Sequence, residues 1–296
     1  KVKANASKHK AMSYGRMKKA REELEREIKA LLAQAEATDS QEDAINGRGK
    51  KGWDLPSALK RRESRLQKIK EAMQALEEEA KAQAETAGKP KGPSPDSDEA
   101  ANPSDKAQRN FTDPDSRIMK MGSTKSFEQC YNGQLAVDEE AQVIVGACLT
   151  QKANDVEQVE PLLDLIETNI GKIPFRLVVS ADNGYFSETN VLLLDDACIE
   201  GYVATGKVKH GESLPAVRGR PPKGLTARER MSRRLRTKRG QRLYSRRKAI
   251  VEPVFGQMKH ARGLRQFLLR GLENVSCEWL IWCLTHNLLK LYRHGE

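Results

Sequence analysis

Two carboxylates are placed where they could do metal-assisted chemistry. Asp182 follows the short β-branched run Phe175–Ser180 (FRLVVS), which reads as a buried strand, and opens the segment Asp182-Asn183-Gly184-Tyr185. Ligands and metals are held at the carboxyl ends of strands in open α/β sheets. An Asp at this place is equally a turn former that caps the next helix. Glu252 is the only acid between Arg230 and Arg270. It reads either as an ion-pair partner on a crowded basic helix or as a metal ligand beside phosphate-binding cations. Two carboxylates from separate elements can hold divalent metal for in-line phosphoryl transfer, with ions roughly 3.5–4 Å apart clamping the attacking and leaving oxygens.

The residues around Glu252 sharpen the second reading. Tyr244 and Arg247 precede it, and the run Glu252–Lys259 (EPVFGQMK) follows. Seven positions are about two helical turns, so Glu252 and Lys259 are expected on one face. Arg247 or Lys248 falls about one turn earlier. Such a face presents carboxylate, guanidinium or ammonium, and lysine, which suits a scissile phosphate. Further upstream, Arg218-Gly219-Arg220-Pro221 has the core of an AT-hook-like motif, expected to lie extended in a narrow A·T groove. The other reading of these four residues is a merely electrostatic loop.

These groups need elements to position them. Residues 12–37 carry helical spacing at Met17, Ala20, Leu24, Ile28, Leu31 and Ala35. A second helix after Pro56 has a heptad seam at Leu59, Leu66, Ile69, Met73, Leu76 and Ala80, imperfect at Arg62. Residues 1–88 therefore read as a helical hairpin, coiled-coil-like and inserted. Residues 89–111, rich in Gly, Pro, Ser and charge, read as a disordered linker. From 112 the pattern changes to an α/β one. Gln129–Val137 and Gln142–Thr150 form a hairpin, Val156–Thr168 a helix, Ser187–Asp196 a helix capped by Ser187, and Ile199–Thr205 a strand. Residues 206–241 are expected to be a mobile basic loop, followed by a helix over Leu243–Lys259. Val275–Tyr292 is expected as a C-terminal helix whose aromatics belong to the core.

Charge bounds the partner. The chain of 296 residues carries a formal net charge of +11, with 38% hydrophobic and 5% aromatic residues. Between Lys207 and Arg262 there are eighteen Lys and Arg against three Asp and Glu, a net of +15, so the rest of the chain is slightly acidic. An internal basic stretch of this density reads as a surface for nucleic acid, with a solvated tail as the bland alternative. The apolar runs are too short to span a membrane, which excludes a membrane partner. Five cysteines, odd in number and without zinc-type pairing, read as buried thiols in a reducing cytosol.

Four blocks in order resemble a known family: Thr112–Lys120 (TDPDSRIMK) and Cys130–Asp138 (CYNGQLAVD), then Ala181–Tyr185 (ADNGY) and Tyr244–Lys259 (YSRRKAIVEPVFGQMK). The chain resembles bacterial insertion-sequence transposases of the DDE type, in the branch with a Tyr-Arg-Glu-Lys motif. The resemblance implies a ribonuclease H-like fold in the catalytic part, residues 112–296. It implies three carboxylates holding two Mg²⁺ ions, with Mn²⁺ as the alternative. Asp182 matches the second acid and Glu252 the third. Tyr244, Arg247 and Lys259 match accessory positions that contact DNA near the cut, and Lys248 also fits the arginine's spacing. The implied partners are double-stranded DNA, both element ends and target, and a second copy in a homodimer. The implied location is the bacterial cytoplasm, at the nucleoid. The opening Lys1–Lys10 (KVKANASKHK) matches a segment that follows the first catalytic Asp in the family. The chain, which starts without Met, is therefore expected to be N-terminally truncated, lacking that Asp and the strand that carries it. It is expected to be inactive or impaired alone, with a non-catalytic DNA-binding remnant as the alternative.

Overall fold

The structure is a computed structural model and describes residues 1–46, 57–86, 102–122, 124–206 and 215–294. In chain order the elements are β1 (Val2–Lys3), β2 (Ala11–Ser13), α1 (Tyr14–Asn46), α2 (Ser57–Thr86), β3 (Gln108–Asn110), β4 (Arg117–Lys120), β5 (Phe127–Val137) and β6 (Ile144–Thr150). There follow α3 (Val159–Ile170), β7 (Val178–Ala181), α4 (Glu188–Asp196), β8 (Glu200–Val203), α5 (Ala227–Arg236), α6 (Lys238–Gly256) and α7 (Leu272–His294). The chain is mixed α/β and divides into two compact units, one of Ala6–Ile118 and one of Lys1–Asn5 with Met119–Glu296. No helix among the described residues is long and apolar enough to cross a membrane.

In the first unit α1 and α2 pack side by side. Tyr14, Met17 and Leu24 meet Ile69, Ala72, Met73 and Leu76 in one buried cluster. The helices run antiparallel, since Tyr14 Oη donates to Glu77 at 2.6 Å at one end and Arg62 pairs with Glu27 at 2.6 Å further along. The imperfect seam position Arg62 is thus matched across the pair by an acid. The connection 47–56 lies outside the described residues, as do 87–88 and residues 89–101 of the expected linker. The end of that linker is ordered. β3 pairs antiparallel with β2, and Ala107 and Asp105 accept hydrogen bonds from the Tyr14 and Gly15 amides that open α1. Those amides are the orphan donors of a helix start, and the backbone at 105–107 satisfies them.

The second unit is built on β5. It pairs antiparallel with β1 (Val2 opposite Tyr131) and with β6 (Asn132 opposite Thr150 through Val137 opposite Ile144), and β4 completes the sheet. β7 and β8 form a separate parallel pair, Val178 opposite Glu200 through Ala181 opposite Val203. Val159, Leu163 and Ile166 of α3 pack with Val191 and Leu194 of α4, Val203 and Met231 in one core. The α7 face at Val275, Trp279 and Cys283 is buried. Trp279 lies flat against β5 at Gly133, where a Cβ would come within 2.8 Å of the indole. Asn287 then pairs with both backbone groups of Ile144, its Nδ2 donating to the carbonyl and its Oδ1 accepting from the amide, each at 2.8 Å.

The expected mobile loop at 206–241 is corrected. Residues 207–214 lie outside the described residues, and half of the rest is helical, in α5 and the start of α6. Thr226 and Glu229 form a reciprocal capping box at the start of α5. Met231 is buried in the core, with Ala227 and Leu235 packed beside it four residues to either side. Two of the arginines that suggested a solvated loop pair with acids of the same unit. Arg234 pairs with Asp195 at 3.0 Å and Arg239 with Glu200 at 2.7 Å.

Candidate active site

Asp182 and Glu252 line the same cavity, of about 640 Å³. Asp182 comes off the end of β7 in extended conformation. Its Oδ1 accepts the Gly184 amide at 2.8 Å and so caps the short turn Asn183–Tyr185. The turn-forming role and a place in the cavity therefore coexist in one residue. Ser187 caps α4, accepting from the Asn190 amide at 2.9 Å.

Glu252 is exposed and reaches the cavity from α6, with Leu243, Arg247, Ile250, Val251 and Phe255 of the same helix. Pro253 stands inside that helix and has no N–H for the carbonyl of Ala249. The side chain of Gln142 replaces it, its Nε2 donating to Ala249 O at 2.9 Å. Beyond Gly256 the helix loosens into a π turn, Gln257–Ala261. A π turn carries more residues per turn than an α-helix, so the two-turn spacing no longer keeps Lys259 aligned with Glu252.

The structure brings three of the sequence-derived candidates together at this cavity: Asp182, Arg247 and Glu252. Arg247 is half-buried, its guanidinium lies 5.6 Å from the Tyr244 ring, and its Nε is buried with no hydrogen-bond acceptor. Between the two spacings left open by the sequence, Arg247 is the one at the cavity. Lys248 is exposed and Tyr244 half-buried, and neither lines it. Lys259 does not line it either. Its ammonium donates to Lys1 O at 2.9 Å and sits 5.0 Å from the Phe255 ring, and burial lowers its pKa.

Arg218 and Arg220 are exposed but their backbone is bent, with Gly219 at φ +84°. The guanidinium of Arg233 donates to the carbonyls of Arg218, Gly219 and Arg220 at 3.0–3.3 Å. Without DNA the segment is thus bent around one guanidinium. The reason is local, because a left-handed Gly closes a turn around one guanidinium.

A polar network that the sequence gave no reason to single out underlies Asp182. Asp155 Oδ1 accepts from Asn132 Nδ2 and Gln134 Nε2, both at 2.7 Å. Gln134 accepts in turn from the Tyr185 hydroxyl. Burial, with the charges of Asp155 and Asp182, pushes the Tyr185 phenol well above its usual range, so it stays a donor. Asn132 and Gln134 are both buried on β5.

Carboxylates are the donors that Mg²⁺ takes, and Asp182 and Glu252 are of that kind. Among the described residues, no group of three or more His, Cys, Asp or Glu is gathered to hold a metal. Asp138 and Glu139 line the same cavity, so the carboxylates there are Asp138, Glu139, Asp182 and Glu252.

The C-terminal half of this site has a counterpart. A model of the family Transposase DDE domain matches residues 220–292. The match takes in α5, α6 and most of α7, including Tyr244, Arg247, Glu252 and Lys259, and supports a DDE transposase. Asp182 lies outside the matched span. No curated protein and no solved structure matches the chain.

Proposed function

We propose that the chain is the catalytic region of an insertion-sequence DDE transposase, a polynucleotidyl transferase acting on double-stranded DNA. The observation that carries this reading is the shared cavity of Asp182 and Glu252, with Arg247 beside them on a helix inside the family match. In this reading the unit of Lys1–Asn5 and Met119–Glu296 is ribonuclease H-like and the α1–α2 pair is an insertion. Asp182 and Glu252 would hold divalent metal, Mg²⁺ by preference, which when bound supplies a nucleophile and neutralises phosphate charge. Arg247 would position a phosphate beside the acids. The exposed Arg218, Arg220 and Lys248 would meet the DNA backbone, with Tyr244 and Lys259 supporting α6. In this reading the chain is impaired in cleavage and strand transfer on its own.

The test has two parts. Gel shifts with duplex DNA across a salt series should show binding that weakens steeply between about 50 and 200 mM salt, as phosphate contacts dictate. Nicking in Mg²⁺ should be weak, and Asp182→Asn or Glu252→Gln should remove it with binding retained. Absence of duplex binding overturns the reading, and vigorous cleavage by this chain overturns the impairment.

A further inference from the structure

Much of the charge in the basic stretch is already paired within its own unit. Asp195 at the end of α4 takes Arg230 at 3.7 Å and Arg234 at 3.0 Å. Glu200 of β8 takes Arg239, and Glu139 of the β5–β6 turn takes Arg246. Arg233 and Arg236 donate to backbone carbonyls. On the outer side of α6 this leaves Lys238, Arg242 and Lys248, exposed and paired with no acid among the described residues.

These three cations share one face. Steps of four, three, three and four residues lead from Lys238 through Arg242, Ser245 and Lys248 to Glu252. Such steps keep to one side of a helix, and all five residues are exposed. Leu243, Arg247 and Ile250 face the cavity from the other side of α6. Ser245 keeps the middle of the row low, since its hydroxyl turns back to donate to Arg242 O at 2.9 Å. From Lys238 to Glu252 the row is about 21 Å long at roughly 1.5 Å per residue. A duplex advances about 3.4 Å per base pair, so the row matches about six of them.

The row repels itself. Lys238 and Arg242 are like charges one turn apart, an arrangement that costs helix stability, and Lys248 precedes Glu252, the weaker order for an opposite pair. A helix face turned only to water interleaves acids with its bases. Here the first acid on the face is Glu252, at the end of the row, and Glu252 also reaches the cavity. A polyanion laid along the face would relieve the repulsion and release its own counterions.

We infer that the outer face of α6 is a track for the phosphate backbone of duplex DNA. Lys238, Arg242 and Lys248 hold phosphates over about six base pairs, and the track ends at Glu252, where the backbone meets the cavity. Arg239 and Arg246 flank the same helix but are held by Glu200 and Glu139, so they serve the fold and not the duplex. The track rests on the transposase reading and extends it from a basic region to three named contacts on one helix face.

The test titrates the full chain, without divalent metal, against a fluorescein-labelled duplex of mixed sequence across a salt series. Lys238→Gln, Arg242→Gln and Lys248→Gln should each lower the slope of log affinity against log salt by about 0.9, and the triple variant by about 2.7. Arg239→Gln and Arg246→Gln remove the same charge from the same helix and should leave the slope unchanged. Ser245→Glu sets an acid amid the row and should weaken binding at low salt by about tenfold or more. Each position is exposed, and a cooperative thermal melt checks each variant; should the triple variant fail to fold, the single ones decide. An unchanged slope in the row variants, or an equal drop in Arg239→Gln and Arg246→Gln, overturns the track. If duplex is still bound, that result leaves the transposase reading in place. Nicking in Mg²⁺ that persists in Asp182→Asn counts against the reading alone, and absence of duplex binding overturns both.

Discussion

Asp155 Oδ1 accepts a 2.7 Å hydrogen bond from Gln134 Nε2, and this contact ties β5 to the turn that carries Asp182, because Gln134 also accepts from Tyr185. Removing the carboxylate leaves the buried Gln134 amide without its acceptor and Asn132 Nδ2 with only the carbonyl of Lys152, at 3.1 Å. An orphaned buried donor costs about 1–3 kcal/mol. Asp155→Ala is therefore expected to lower the unfolding free energy by that amount, read as a lower urea midpoint with the slope unchanged. An unaltered midpoint would show that the network does not hold the turn.

Gly133 is required by contact. A Cβ there would lie 2.8 Å from the Trp279 ring, and that ring is wedged by Phe255 at 6.4 Å and Phe267 at 6.5 Å. Overpacking a tight core costs roughly 1–3 kcal/mol. Gly133→Ala should lower the melting temperature by several degrees and shift or broaden the tryptophan emission as Trp279 is displaced. A melt identical to wild type would mean that α7 slides on β5 at no cost.

Much of the unit of Lys1–Asn5 and Met119–Glu296 was legible because its signals are local. The β5–β6 hairpin, the α3 and α7 stripes and the Ser187 cap follow from alternation, spacing and one side-chain acceptor. Asp182 and Glu252 were likewise findable, one by its place after a strand and the other by being a lone acid. The basic stretch misled because charge density hid a short helix. Its capping box Thr226–Glu229 and the apolar positions Ala227, Met231 and Leu235 were in view, but eight Lys and Arg between Arg228 and Arg242 outweighed them. Lys259 could not be placed from spacing, since nothing in the residue types announces a π turn. Asp155 could not be placed either, because its partners are more than twenty positions away along the chain.

Arg233 should be the clasp of the bent Arg-Gly-Arg segment. Three carbonyls converge on its guanidinium, while Val217 N to Arg236 O and Arg236 Nε to Pro215 O tie the neighbouring backbone to α5. With Arg233→Ala, limited trypsin digestion should cut the Arg218–Gly219 bond several-fold faster, since opening of that segment sets access. Duplex affinity should fall more than the loss of one phosphate contact predicts, because Arg218 and Arg220 lose their fixed spacing. Equal digestion rates would place the restraint elsewhere.

Acid stability should carry the signature of Glu200. Arg239 grips both of its oxygens, at 3.0 and 2.7 Å, and Tyr202 Oη donates at 2.6 Å. First the Arg239 contact and then the Tyr202 hydrogen bond hold the carboxylate pKa at about 2, against an ordinary 4.5. The unfolded chain therefore takes up this proton at a higher pH than the folded one. The stabilisation is complete above about pH 4.5 and is lost as pH falls from there toward 2. The arginine is more than half exposed, so solvent screening keeps the effect modest and salt-sensitive. Urea midpoints measured from about pH 6 down to about pH 2.5 should decline across this window in the wild type. Arg239→Gln should flatten part of that decline while lowering the midpoint at the neutral end, and adding salt to the wild type should move it the same way. An acid limb identical in both proteins would show that Glu200 is not the group being titrated.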